Sequence, residues 1–329
     1  MQSPRRCGSR LWRSALRVGS LLGLWACVSS CQNPYEPPRV PPVISEDRDP
    51  AWSADGQWLA FQHSGDDSTP GLYIARVDGT GRQLVVPGGN SADWSPGGTA
   101  LVLGIGFSYQ VYRVDLATDS VTPLTTSGFN VLPAWSPDGQ TIAFDSDDGT
   151  GGPTGLWLMD GHGGNRRAVA VGTPDQPGPG DVDWAPSGDR LVGERAWPTA
   201  PGSFRWRLFR TDTTGRDTAW LTPVNVDAQR PAWSPLGTWI AYVRANTDRP
   251  GDLWLIRPEG TEDHLLVRSG SHPTWSPDGA SVAFSRTASD EVAIWSVDLE
   301  GRNLRQLSWP RGTPAARVLV SRASPRGVP

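Results

Sequence analysis

The sequence predicts an all-β fold, a six-bladed β-propeller of four-stranded antiparallel blades. One phrase recurs six times along the chain at intervals of 41 to 49 residues. A fixed period of about forty residues built from short strands is typical of propeller blades. The composition agrees with this prediction, because 17 Trp, 38 Gly and 31 Pro suit a chain of short strands and tight turns.

The repeated phrase is a tryptophan, a tight polar turn and an alternating apolar strand. Its clearest copies are AWSPDGQTIAF from Ala134 and TWSPDGASVAF from Thr274. Pro at the second turn position presets φ, and Gly at the fourth accepts the positive φ that reverses the chain. The anchor tryptophans are Trp52, Trp94, Trp135, Trp184, Trp233 and Trp275.

Each repeat contains four predicted strands. The first ends at the tryptophan, the second follows the polar turn, and the third follows a variable loop, as in GLWLMD from Gly155. A Gly-, Asn- or Asp-containing hairpin turn leads to the fourth. Such a blade is apolar on both faces, so blades must stack around an axis, and we expect the anchor tryptophans to pack between them.

These copies resemble the repeats of TolB-type propellers. The resemblance is clearest in Trp135–Gly139 followed by Ile142–Phe144, and in Trp275–Gly279 followed by Val282–Phe284. It covers about residues 47–308 and implies the fold. The α/β domain that precedes the propeller in that family has no clear equivalent here, so we expect a relative that consists of the propeller alone.

The N-terminal residues 1–30 have the pattern of a secretory signal peptide. Residues 1–17 carry five Arg and no acid, and Val18–Val28 is an apolar run too short to span a bilayer comfortably. The sequence Val28-Ser29-Ser30-Cys31 resembles a bacterial lipobox and predicts lipidation at Cys31. The alternative is ordinary cleavage nearby, which leaves Cys31 as a free thiol. Because Gln and not Asp follows Cys31, we expect an exported, lipid-anchored protein of the outer membrane that faces the periplasm.

Two further segments flank the predicted propeller. Residues 31–46 contain five Pro and are expected to form a semi-rigid tether behind the lipidated cysteine. Residues 309–329 are rich in Pro, Arg, Ser and Ala, and we expect them to lack fixed structure.

The charge of the mature chain argues against some partners. After removal of the leader, 25 basic residues face 34 acidic ones, and all of the basic residues are Arg. An acidic protein with scattered Arg is a poor match for nucleic acid or for anionic lipid surfaces. We expect a monomer without a cofactor.

A search for catalytic patterns predicts no enzyme. The chain ends about 20 residues after the sixth predicted blade and holds no G-x-S-x-G elbow, so no α/β-hydrolase peptidase domain is expected. His63 and His272 fall in blades that a closed ring makes neighbours, with Asp49, Asp66 and Asp67 near them. A metal site needs three or four convergent ligands, so two solvated loop histidines are the preferred interpretation.

Variable loops mark one face of the predicted propeller as the binding face. The long excursions lie between strands two and three or between blades: Gly65–Pro70, Asp145–Thr154, Gly172–Asp181 and Glu194–Phe204. Trp197 lies in the last of them and has no place in the blade pattern. We interpret Trp197 as an exposed anchor for a partner.

The channel mouth on the same face is the predicted ligand site. The residue three positions before each anchor tryptophan should lie there: Asp49, Ser91, Leu132, Asp181, Arg230 and His272. Asp93 and Asp183 replace the small residue that precedes the tryptophan elsewhere. We expect them to pair with an Arg such as Arg230, or to cap a turn.

Three hypotheses of function follow. The first is a non-enzymatic binding module of the bacterial envelope that holds a protein partner on the loop face around Trp197. The second is a carbohydrate- or metal-dependent enzyme, or a ligand-binding protein, that uses Asp49, Asp181, Arg230 and His272 at the channel mouth. The third is a purely structural lipoprotein.

Overall fold

The computed structural model describes residues 45–308 except 66–67, 107–108, 148, 150, 174–177, 201–202, 248–249 and 289–290. These residues belong to one compact unit, Pro42–Pro329. They form strands and turns, and no helix among them is long and apolar enough to cross a membrane. The predicted signal peptide, Cys31 and the predicted tail 309–329 lie outside the described residues.

The strands follow one another in groups of four. The bounds of the first group are β1 Ser45–Trp52, β2 Trp58–Ser64, β3 Gly71–Arg76 and β4 Gln83–Pro87. The next sheet consists of β5 Gly89–Trp94, β6 Ala100–Ile105, β7 Val111–Asp115 and β8 Ser120–Pro123. It is followed by β9 Asn130–Trp135, β10 Thr141–Ser146, β11 Gly155–Asp160 and β12 Arg167–Val171.

The second half of the chain continues this pattern. One sheet consists of β13 Gly180–Trp184, β14 Arg190–Ala200, β15 Ser203–Asp212 and β16 Ala219–Trp220. The next has β17 Ala228–Trp233, β18 Ile240–Arg244, β19 Asp252–Ile256 and β20 His264–Val267. The last group is β21 Ser271–Trp275, β22 Ser281–Ala288, β23 Glu291–Asp298 and β24 Arg305–Gln306.

The first strand of each group ends at an anchor tryptophan, and these six strands form a closed ring. In chain order β1, β5, β9, β13, β17 and β21 each contact the next, and β21 contacts β1. We call them the inner strands. Within each group the pairing is antiparallel between consecutive strands, as the repeat predicts.

The predicted count of six separate four-stranded blades is wrong. Ser45 and Glu46 of β1 pair in parallel with Glu291 and Val292 of β23, which joins the first and last groups into one eight-stranded sheet. The described residues therefore form five sheets, four of four strands and one of eight. The physical reason is the short length of β24, which pairs only with Trp295 and Ser296 of β23 among the described residues. The beginning of that edge of β23 is therefore open to pairing with β1.

This pairing also moves a predicted boundary. Ser45 and Glu46 were expected to belong to the tether 31–46, but they are the first two residues of β1. An edge strand exposes unpaired backbone groups that can pair with another chain. The parallel pairing of β1 with β23 covers some of these groups and also closes the ring.

The core lies between neighbouring sheets. Ile142, Ala143 and Phe144 of β10 are completely buried. Ile142 and Phe144 pack in one cluster with Trp135 and with Val102 and Val111 of the preceding sheet. Five of the six anchor tryptophans are buried and Trp52 is half-buried. Each sheet thus buries the apolar face of the next, as stacking of two-faced blades requires.

The indole N–H groups of the anchor tryptophans alternate between two arrangements. Nε1 of Trp94, Trp184 and Trp275 donates to the carbonyl oxygen of the residue before the preceding anchor, at 3.1, 3.1 and 2.9 Å. In each case that residue is an alanine. Nε1 of the other three anchors, Trp52, Trp135 and Trp233, is buried without a hydrogen-bond partner among the described residues.

Candidate functional site at the channel mouth

The inner strands share a β-bulge three residues before the tryptophan. The pairing of β1 with β2 shifts register between Arg48 and Ala51, and β5, β13, β17 and β21 show the same shift. A bulge leaves the extra residue out of the ladder and turns its backbone toward another partner. The bulge residues have positive φ of 46° to 54°: Asp49, Ser91, Leu132, Asp181, Arg230 and His272.

These six residues line one cavity of about 140 Å³, together with the residue that follows each of them. Four of the following residues are prolines, which cannot donate to a ladder and are tolerated at bulges. The structure therefore brings Asp49, Asp181, Arg230 and His272 together, as the repeat spacing predicts. Their role in binding stays a prediction.

The side chains of His272 and Asp49 are in contact at the mouth. Nε2 of His272 lies 2.6 Å from Oδ1 of Asp49, and Nδ1 of His272 lies 3.1 Å from Oγ of Ser271. Burial by itself opposes ionisation of Asp49, but His272 and Arg230 hold the pKa of Asp49 below its usual value. The mouth therefore has an ionised carboxylate at the junction of the first and last repeats.

A second tier of polar groups lies behind the bulges. The backbone N–H of Arg230 donates to Oε2 of Glu194 at 2.7 Å, and that of Asp181 donates to Oδ2 of Asp145 at 3.4 Å. The N–H of Asp49 donates to Oγ of Ser285 at 3.2 Å. In each case the acceptor belongs to the second strand of the preceding group of four strands, so the bulges hold neighbouring groups together.

Three of these carboxyl groups have raised pKa values. Burial raises the pKa of Asp145 and that of Glu194 well above their usual ranges, and the nearby Asp181 raises both further. Burial also raises the pKa of Asp181, although Arg230 and His272 oppose it. The channel thus contains carboxyl groups that retain a proton more readily than exposed ones do, because low dielectric and mutual repulsion disfavour their charged forms.

Asp93 and Asp183 do not pair with Arg230. Oδ2 of Asp93 accepts the backbone N–H of Trp135 at 2.7 Å, and Oδ2 of Asp183 accepts that of Trp233 at 2.6 Å. Each aspartate stands at the position where, at three other junctions, the backbone carbonyl of an alanine accepts an indole N–H. Burial raises the pKa of Asp93 to about 7 and that of Asp183 to about 6.

Trp197 lies away from the cavity. Residues 194–204 were predicted to form a loop, but most of them continue β14 and β15 as a long hairpin in which Trp197 pairs with Arg205. The half-buried Trp197 ring meets the Trp220 ring edge to face at 5.6 Å, and the Arg207 guanidinium lies 5.0 Å from the Trp197 ring centre. Phe204 and Trp220 are exposed and present aromatic surface near Trp197.

Sequence reasoning missed Asp145 and Glu194 as members of the site. Both follow the buried positions of the second strand, where other copies have Gln62, Gly104 or Val243. A carboxylate at the end of an otherwise apolar strand was the available signal. The repeat alone does not show that this position faces the bulge of the next sheet.

The two histidines considered for a metal site belong to separate clusters. His272 contacts Asp49, whereas His63 contacts Asp47 and Ser68. Over the described part of the chain, no group of three or more His, Cys, Asp or Glu side chains is placed to hold a metal ion. Asp66 and Asp67 lie outside the described residues.

Comparison with known proteins agrees with this architecture. A family model described as the TolB beta propeller domain matches residues 42–272. TolB from Acinetobacter baumannii is similar with a TM-score of 0.61 and 18% identity, over 81% of this chain and 63% of that one. This chain therefore spans under two thirds of the Acinetobacter protein.

Two further solved structures are similar in fold. A putative TolB from Agrobacterium tumefaciens has a TM-score of 0.57 and 23% identity, over 69% of this chain and 83% of that one. An oligogalacturonate lyase from Vibrio parahaemolyticus has a TM-score of 0.52 and 13% identity, over 78% and 91%. Identities this low show the fold alone. The family match spans most of the chain, and on that ground the chain belongs to the TolB beta propeller family.

Proposed function

We propose that this chain is a non-enzymatic binding module of the bacterial cell envelope, which holds a protein partner on the face that carries the channel mouth. The observation that carries the proposal is the convergence of six bulge residues on one cavity. Rigid scaffolds commonly present binding residues in this way. Export and a lipid anchor at Cys31 are part of the same proposal and rest on the N-terminal sequence.

The size of the cavity favours a protein partner over a free small molecule. Pockets for drug-sized ligands occupy roughly 300–1,000 Å³, and this cavity has about 140 Å³. A space of that size fits one inserted side chain. The rest of the contact would then come from the surrounding loops and from the hairpin that carries Trp197.

The charge of the cavity selects a cationic side chain. Asp181, Asp145 and Glu194 lie at or behind the mouth with raised pKa values, and the guanidinium of Arg230 is a nearby positive charge. An inserted Arg or Lys stabilises the ionised form of these carboxyl groups. Binding would therefore release protons, and the affinity would rise as the pH rises from mildly acidic to neutral.

The test is site-specific photo-crosslinking in the intact envelope. A photoreactive phenylalanine replaces Ser91 at the mouth in one strain and Phe204 beside Trp197 in a second. In a control strain it replaces Leu236, which is 63% exposed in the turn between β17 and β18, at the far end of an inner strand.

The proposal expects one protein species crosslinked from Ser91 and Phe204 and not from Leu236. The Asp181→Asn and Glu194→Gln variants should weaken that adduct, because they remove the charge that an inserted cation neutralises. Trp197→Ala should weaken it as well if the hairpin takes part. Adducts of equal yield from all three positions, or an adduct that survives the charge-removing variants unchanged, would overturn the proposal.

A further inference from the structure

The β14–β15 hairpin concentrates positive charge in an otherwise acidic chain. Residues 190–211 contain five Arg and one acidic residue, Glu194. Glu194 pairs with Leu208 and accepts the backbone N–H of Arg230, so its carboxylate is engaged at the channel. The hairpin is also unusually long: β14 has 11 residues and β15 has 10, whereas no other strand of the described residues is longer than eight. The extra length is therefore particular to one repeat.

Strand register collects three of these arginines on one face of the hairpin. Residues directly opposite each other in an antiparallel pair share a face, and so do alternate residues of one strand. Arg195 pairs with Arg207, and Trp197 pairs with Arg205, so these four side chains lie on one face. Trp220 joins the same face through the pairing of β16 with β15. We call this set the arginine face: Arg195, Trp197, Arg205, Arg207 and Trp220.

One guanidinium of the arginine face holds its two indole rings in place. The guanidinium of Arg207 lies 5.0 Å from the ring centre of Trp197 and 4.3 Å from that of Trp220. Nε and Nη2 of Arg207 both donate to the carbonyl oxygen of Thr222, at 3.0 and 2.6 Å. Because Arg207 is buried, it orders the two tryptophans and is a positioning residue.

None of the three arginines on this face forms an ion pair with a described Asp or Glu residue. Arg205 is exposed, and its Nη1 donates to the carbonyl oxygen of Asn225 at 3.3 Å. Nε of Arg195 is buried without a hydrogen-bond partner among the described residues. By contrast, Arg190 at the start of β14 pairs with Asp217 at 2.7 Å. The positive charge of the arginine face is therefore not neutralised within the described part of the chain.

The charge of this face selects an anionic ligand. Arg195 and Arg207 are directly opposite each other, and like charges at such positions destabilise a sheet. Burial lowers the pKa of Arg207, which shows that its charge is poorly compensated. A bound carboxylate would offset this repulsion, because a guanidinium group donates two parallel N–H bonds to a carboxylate.

The spacing of this face favours a peptide. Arg195 and Arg205 are diagonal neighbours across the two strands, a relationship that places residues about 7–8 Å apart. Alternate side chains of an extended peptide are about 7 Å apart, so two carboxylates at alternate positions match the two arginines. The exposed ring of Trp220 offers an aromatic surface beside them. Trp and Arg are also the residue types most enriched among those that dominate binding energy between proteins.

We propose that the arginine face binds an extended acidic peptide segment of the partner protein, with carboxylates at alternate positions next to an apolar side chain. Arg195 and Arg205 contact the carboxylates, and Trp220 contacts the apolar side chain. The identity of the protein that carries the segment rests on the function proposed above, whereas binding of the segment itself does not. The partner would then present a cation to the channel mouth and an acidic segment to the hairpin.

The test measures fluorescence anisotropy of a labelled peptide that alternates glutamate and tyrosine, titrated with the purified full chain. A peptide that alternates lysine and tyrosine is the charge control, and an unlabelled polyuronate tests carboxylates on a sugar chain. We expect the acidic peptide to bind, with an affinity that falls as salt is added, because salt screens exposed charges. Equal binding of the lysine peptide would overturn the proposal. Tighter binding of the polyuronate would also overturn it, by assigning the face to an acidic glycan.

Two matched charge reversals locate the binding. Arg205→Glu changes an exposed side chain that does not touch the two stacked indoles. It should weaken binding of the acidic peptide about 10-fold, because an exposed ion pair contributes up to about 5-fold and reversal replaces it by repulsion. Arg216→Glu makes the same change at an exposed arginine in the turn at the other end of β15 and should leave the affinity unchanged. Equal affinities of the two variants would overturn the proposal.

Photo-crosslinking from Ser91 separates this inference from the proposed function. We expect Arg205→Glu to weaken the Ser91 adduct, since the partner would lose its second contact. If the adduct forms and Arg205→Glu leaves it unchanged, this inference is wrong and the proposed function stands. If no adduct forms while the acidic peptide binds through Arg205, the proposed function is wrong and the arginine face remains a peptide site.

Discussion

The carboxylate of Asp183 accepts the backbone N–H of Trp233 at 2.6 Å, although Trp233 lies fifty positions further along in the next sheet. The same carboxylate accepts the N–H of its own neighbour, Trp184, at 2.7 Å. Asp93 accepts the N–H of Trp135 in the same way. Two of the junctions between sheets therefore depend on a buried carboxyl group, and three on an indole N–H that donates to an alanine carbonyl.

This alternation predicts different costs for one substitution at two equivalent sites. Trp184→Phe removes the indole N–H that bonds the Ala134 carbonyl at 3.1 Å, whereas Trp233→Phe removes an N–H without a partner in the described structure. Both changes remove the same part of the ring. We expect Trp184→Phe to lower the free energy of unfolding by about 1 kcal/mol more than Trp233→Phe does. Urea denaturation measures both, and equal losses would contradict the alternation.

The raised pKa values predict how stability depends on pH. Asp93 titrates near 7 and Asp183 near 6 in the folded protein, above the value of about 3.9 expected in the unfolded chain. Between these values the folded state binds more protons, so stability is highest below the unfolded pKa and is lost as the pH rises through the folded values. We therefore expect the free energy of unfolding to fall between pH 5 and pH 8.

The matched variant is Asp93→Asn/Asp183→Asn, which removes both ionisable groups and leaves each side chain one amide oxygen to accept a tryptophan N–H. It should show a flatter dependence over the same range, measured by urea denaturation at pH 5, 6, 7 and 8. Asp145, Glu194 and Asp181 also have raised pKa values and contribute with the same sign, so some slope should remain. An unchanged slope in the double variant would rule out these two aspartates as its source.

Gly180 predicts a steric coupling behind the mouth. A Cβ at this position would overlap the carboxylate of Asp145, which accepts the N–H of Asp181. Gly180→Ala should therefore cost about 1–3 kcal/mol of unfolding free energy, as overpacking usually does. Asp145→Gly/Gly180→Ala should recover part of that cost. A double-mutant cycle measures the coupling, and strictly additive losses would show that the two sites do not interact.

The closure of the ring predicts that an engineered disulfide between β1 and β23 will stabilise the protein. Glu46 and Val292 are directly paired across β1 and β23, and paired strands lie about 4.7–4.9 Å apart, within the range of Cα separations that a disulfide spans. The Glu46→Cys/Val292→Cys variant should form the bond under oxidising conditions and gain about 2–4 kcal/mol over its reduced form. Thermal unfolding with and without reductant measures this gain. A cysteine pair that stays reduced would contradict the register.

Much of the fold could be predicted from the sequence because the signals are local. Pro and Gly at fixed turn positions and period-two apolar strands mark each repeat, so the strand order follows from short stretches such as Trp135–Phe144. Asp49 and its equivalents were predicted to lie at the channel mouth from their distance to the tryptophan, although the bulge itself was not predicted. That inference succeeded because every inner strand repeats one backbone conformation.

Contacts between distant positions could not be predicted in this way. The hairpin around Trp197 was expected to be a loop. Outside the core a strand lacks the alternating apolar pattern, so its sequence does not differ from that of a loop. The structure shows strands there instead, because β14 and β15 pair over their whole length. Asp145 and Glu194 became part of the site only because the ring places each of them against the bulge of the next sheet.

The sequence by itself determined the all-β class, the six Trp-anchored repeats and the residues at the channel mouth, because each depends on spacing within one repeat. The tertiary structure decided how the ring closes, since the pairing of Ser45 with Glu291 joins the two ends of the propeller and merges two predicted blades into one sheet. It also decided which side chains share a buried environment. Hydrogen bonds form between groups that packing brings together, whatever their separation along the chain, and burial strengthens them. The contacts of Asp183 with Trp233 and of Asp47 with His63 are examples.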